Sequence, residues 1–153
     1  MNYLSSMQPL DKHTLFSIFE KGDEEIYKEH GMEETLKNPF VLMGMVVNGI
    51  QNFDLMDMMY ARNYPEEYKE VKHTIKYKYF TKLYGYLCRI NHDTFEDKHN
   101  IGESYDSADI YYGLNVLKDY FESIEQYEKC GTIKKYMELL IDKVVPLKKI
   151  SYL

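Results

Sequence analysis

Tryptophan is absent from this 153-residue chain, and cysteine, arginine and alanine each occur only twice. Two cysteines, Cys88 and Cys130, are too few for the disulfide framework of a small secreted domain. With no basic-then-apolar leader, the expected setting is the reducing cytoplasm. The longest near-apolar stretch, 40–47, falls far short of the roughly 20 residues that span a bilayer, so no membrane partner is expected. Four prolines and eight glycines are scattered singly, which leaves no linker and predicts one domain over 1–153. Nucleotide-binding glycine loops, a nucleophile elbow, HExxH, EF-hand and CxxC spacings are all missing. The expectation is therefore a non-enzymatic protein without a cofactor.

Lysine, tyrosine and methionine dominate instead: 17 Lys, 16 Tyr and 9 Met in a chain of net charge −6. That usage is the bias of an AT-rich coding sequence and points to a phage, a virus or an AT-rich bacterium. At 44% hydrophobic residues and about 150 residues, a real core is available without metal or disulfide.

The periodicity is helical throughout, and no stretch alternates over a strand length. Asp11 caps a first element carrying Leu15, Ile18 and Phe19 that stops at Gly22, and Asp23 caps a short turn through Tyr27. Asn38-Pro39 opens a helix over 39–51, apolar on all sides and so expected to be buried. Asp54 opens a further short helix with Leu55, Met56, Met58 and Met59. Pro65-Glu66-Glu67 starts the longest helix, 65–90, whose two adjacent apolar stripes place it centrally. A polar run over 91–107 is read as a long loop. Helix 108–129 follows, Gly131 ends it or marks a hinge, and helix 132–145 stops before Pro146. These elements predict an all-α, single-domain helical bundle of about six helices, with 65–90 central and 108–145 forming a C-terminal helical hairpin.

Charge is segregated: −7 over residues 1–67, +5 over 68–90, −8 over 91–128 and +4 over 129–153. Such runs are most simply the solvated faces of neighbouring helices. Read functionally, Asp109, Asp119, Glu122, Glu125 and Glu128 form an acidic face that would be steered to a basic surface on another protein. Leu55, Met58 and Met59 would make an apolar patch for a partner helix or a homodimer, thioether side chains being adaptable. Lys76, Lys78, Lys82 and Arg89, interleaved with tyrosines, have the composition of a nucleic-acid surface, where cations meet phosphates and rings stack on bases. His92, Asp97 and His99 supply the only metal-ligand chemistry, and a hydrolase built on the 91–107 loop would need them brought together. Carboxylate pairs such as Glu122/Glu125 face away from the apolar stripe of their helix, which argues against a metal site in the bundle core. By elimination the leading expectation is a small adaptor or inhibitor of a larger protein. Nucleic-acid binding and then metal-dependent hydrolysis follow it.

Overall fold

A computed structural model describes residues 37–91, 101 and 105–144, the last four as backbone. The described residues form four helices and no strand: α1 (Pro39–Asn63), α2 (Pro65–Cys88), α3 (Ser107–Ser123) and α4 (Tyr127–Val144). The elements expected before residue 37 lie outside the described residues.

Helix α1 starts as its sequence dictates. Asn38 accepts a hydrogen bond from the Phe40 amide at 2.9 Å, and Pro39 takes the first helical position, where its missing N–H leaves nothing unpaired. Two expectations fail beyond that point. The helix does not stop near residue 51 but runs unbroken for 25 residues through Asp54. Phe53 is buried in register with Leu42, Val46 and Ile50, so the ladder carries through Gly49 and Asp54 sits in the helix interior. Nor is the helix buried on all sides. Leu42, Met43, Val46, Val47, Ile50 and Phe53 form the buried stripe, while Asn48, Gln51 and Asn52 are exposed.

A single residue, Tyr64, separates α1 from α2. Pro65 drives its predecessor out of the α region, and Tyr64 adopts φ −135°, ψ 58° while its amide still reaches Tyr60 O at 2.8 Å. The two helices return antiparallel, with Tyr60 against Tyr68 and Phe53 against Phe80. They approach closely at Gly49: a Cβ there would lie 2.6 Å from Leu83 Cδ2, and Tyr79 donates from its hydroxyl to Gly49 O at 3.0 Å.

Among the described helices the inner positions belong to α1, between α2 and α3, and to α3, between α1 and α4, not to 65–90. Helix α1 packs extensively on both α2 and α3, whereas α2 and α3 rarely approach backbone to backbone. They meet through long aromatic side chains, Phe80 on Tyr120 at 4.6 Å and Tyr84 on Phe121 at 5.7 Å between ring centroids. This explains the second apolar stripe on α2: it reaches across to α3, and Tyr77 and Cys88 at its margin stay exposed.

Between α2 and α3, the polar run is not wholly solvated. Ile101 is helical and fully buried, and Tyr105 packs its ring on Phe40 and donates to Phe40 O at 3.3 Å. Asp106 caps α3 through Ala108 N.

Helix α3 ends at Ser123, well before Gly131. The amide of Gln126 bonds Phe121 O and that of Glu125 bonds Glu122 O, the paired closure of a Schellman cap, with Glu125 at φ 61° where glycine is the usual occupant. Turning there lets Ile133, Tyr136 and Leu140 of α4 enter the core, and Gly131 becomes an ordinary exposed residue inside α4. Packing, not the helix-breaking residue, chose the turn. Tyr136 also donates to Ile90 O at 2.9 Å, tying α4 to the end of α2.

Candidate functional site

Two surface features stand out. The first is on the outer side of α1. Leu55, Met58 and Met59, spaced i, i+3, i+4, share one face and are 55%, 63% and 52% exposed. The face exists because Phe53, Asp57 and Tyr60 take the inward positions: Tyr68 donates to Asp57 Oδ1 at 2.6 Å, and Tyr60 stacks on Tyr68. Burial, the Asp57 carboxylate that accepts its proton and nearby Tyr60 together push the Tyr68 hydroxyl far above the usual tyrosine range.

The second is a groove of about 490 Å³ lined by His73, Lys76 and Tyr77 of α2, Tyr120, Ser123 and Ile124 at the end of α3, and Gln126 of the following turn. Both helices present an i, i+3, i+4 triplet to it, so regular helix geometry builds its walls. Lys76 lays its ammonium 5.5 Å from the Phe80 centroid and 5.4 Å from that of Tyr120. Lys129 lies 5.2–5.9 Å from the rings of Phe121, Tyr84 and Tyr77. Ring faces carry negative quadrupole potential, so these cations are attracted to the aromatic seam without surrendering their charge.

Lys129 also donates to Gln126 Oε1 at 2.7 Å, which turns the amide nitrogen toward the Tyr77 hydroxyl at 3.4 Å. The hydrogen bond from Gln126, and next the charge of Lys129, lower the Tyr77 pKa from its ordinary value. Tyr120, on the opposite wall, moves the other way because it is partly buried.

The acidic residues do not make one face. Asp109 lies in the first turn of α3, where it suits the helix dipole, and Glu122 lies about 20 Å along and about 140° round the same helix. Asp119 accepts from Lys118 at 3.2 Å. Glu122, Glu125 and Glu128 are exposed around the turn between α3 and α4. The cationic set divides as well. Lys78, Lys82 and Arg89 share a strip of α2, with Arg89 5.6 Å from the Tyr86 ring centroid, while Lys76 lies on the opposite side with Lys69, Lys72 and His73. Of the tyrosines between them, Tyr86 is buried and Tyr79 and Tyr84 half-buried; only Tyr77 is open.

His92, Asp97 and His99 lie outside the described residues, and among the described residues no group of three metal-ligating side chains converges. No described helix is long and apolar enough to cross a membrane. Sequence reasoning missed the groove because its walls are more than 40 residues apart. The one legible trace was the Lys69, Lys72, His73, Lys76 spacing, one helical face of basic residues. Comparison with protein families, curated proteins and solved structures finds no match to this chain.

Proposed function

We propose that the protein is a non-enzymatic interaction protein, an adaptor or inhibitor that binds a larger protein through the Leu55, Met58, Met59 face of α1. What supports this reading is the exposure of those three side chains on one face, each more than half open. Two of the three are methionines, whose flexible, polarizable side chains adapt to a partner's contour. The acidic cluster at the turn after α3 is a secondary contact in this reading, setting approach to a basic partner. A cytoplasmic setting, a phage or viral origin, and a complete bundle of about six helices ending in a helical hairpin belong to the same proposal.

The test is a tagged pull-down from the native cell or a bacterial lysate, with light-scattering mass on the eluate. One protein recovered at fixed stoichiometry, unaffected by nuclease, and lost in a Leu55→Glu, Met58→Glu double variant that keeps its helicity is the expected result. Recovery unchanged by the double variant removes this face from the account. A homodimer that the same variant dissociates makes the partner a second copy.

A further inference from the structure

We propose that the groove between α2 and the end of α3 binds a mononucleotide, a small ligand carrying a phosphate and a planar ring. The proposal does not depend on the Leu55, Met58, Met59 face.

Its lining offers hydrogen-bond donors and no carboxylate among the described residues. Lys76 has aromatic rings, not an acid, as its neighbours among those residues, so none of them competes with an anion for it. Gln126 points its amide nitrogen at the Tyr77 oxygen because Lys129 holds its carbonyl, and the Tyr77 hydroxyl lines the groove beside it. Lys69, Lys72 and His73 extend the basic strip from the groove along α2, all of them exposed. Three acids flank the α3 wall: Asp119, beside Tyr120 and one turn from Ser123, accepts from Lys118 at 3.2 Å; Glu122 acts on Lys118 and Cys130 about 160° round α3 from Tyr120; and Glu125 is exposed between Ile124 and Gln126. A phosphate dianion suits that donor set.

The ring follows from the walls. Tyr77 on α2 and Ile124 at the end of α3 are each more than a third exposed and line the same groove, an aromatic face and an aliphatic one for a flat ring between them. The volume suits a ligand of this size, since small-molecule sites run from about 300 to 1,000 Å³.

The experiment is a heteronuclear NMR titration of the full chain with AMP, UMP, adenosine, inorganic phosphate and a single-stranded octanucleotide. AMP and UMP are expected to move the amide signals of 73–77 and 120–126 with Kd below about 1 mM, and adenosine and phosphate to bind at least roughly tenfold more weakly. Lys76→Gln should weaken AMP about tenfold or more, Lys76→Arg should restore it, and Lys134→Gln on α4 should leave it unchanged. Three results overturn the proposal. One is no movement of these signals with AMP. Another is equal weakening by Lys134→Gln, which marks binding by overall charge. The third is an octanucleotide bound about a hundredfold tighter than AMP with steep salt dependence, which makes the groove part of a nucleic-acid track.

Discussion

Phe53 and Leu55 stand two residues apart on α1 and meet different surroundings. Phe53 stacks on Phe80 at 5.2 Å and is 3% exposed, and through Phe80 it belongs to an aromatic seam that continues into Tyr120, Phe121 and Tyr84. Leu55 has no such neighbour among the described residues, and Met58 and Met59 beside it are equally open. Apolar character is the same in both regions. What differs is helical phase, and with it whether another helix stands opposite. The seam supplies stability, and the open face leaves adhesive surface unspent.

That contrast breaks most visibly at the centre of the seam. Phe80→Ala removes the ring shared by Phe53 and Tyr120 and is expected to cost about 3–5 kcal/mol, read by denaturant melts. A loss under about 1 kcal/mol would mean that the seam is not the core of the fold.

Tyr68→Phe comes next, at about 1–2 kcal/mol, because it removes the proton donor to Asp57 while keeping the ring. The same pair sets an alkaline limit. The Tyr68 hydroxyl holds its proton more tightly folded than unfolded. Its contribution is therefore complete below the ordinary tyrosine value of 10.0 and declines as pH rises beyond it. Tyr60, Tyr84, Tyr105 and Tyr120 shift in the same direction, so stability should fall above that pH, and Tyr68→Phe should fall less steeply.

At the turn after α3, Glu125→Gly should stabilise by about 0.5–1 kcal/mol, because glycine adopts positive φ without the Cβ crowding that glutamate meets. Smallest of all is the open face itself: Leu55→Glu with Met58→Glu should stay within about 0.5 kcal/mol per site of the parent. A large loss there would show that something in the free protein already covers the face.

The all-helical class was legible because Asn38-Pro39 and Pro65-Glu66-Glu67 write helix starts that local chemistry alone enforces. Helix ends were less legible. Asp54 resembles a cap yet lies within α1, and Gly131 resembles a stop yet lies within α4, since long-range packing of Phe53 and Ile133 decided both. Leu55, Met58 and Met59 were readable as one patch from spacing, although their exposure depended on which face met α2 and α3. The Lys76, Lys78, Lys82, Arg89 grouping failed for the same reason that the groove stayed hidden. Proximity along one helix does not place residues on one side of it, and no local pattern announces that Tyr77 will face Tyr120.

The joint at Tyr64 bears on how the chain folds. With one residue between α1 and α2, their contacts close almost no loop, whereas bringing Tyr105 to Phe40 closes a span of 65 residues at a chain-entropy cost of roughly 3–4 kcal/mol. Contacts that cheap in entropy assemble early, as do those of α3 with α4 across a turn of three residues, so docking of the two pairs on each other is the late step. Until then Phe80 lacks its Tyr120 neighbour, and a nascent chain is most exposed to aggregation between the completion of α2 and the docking of α3.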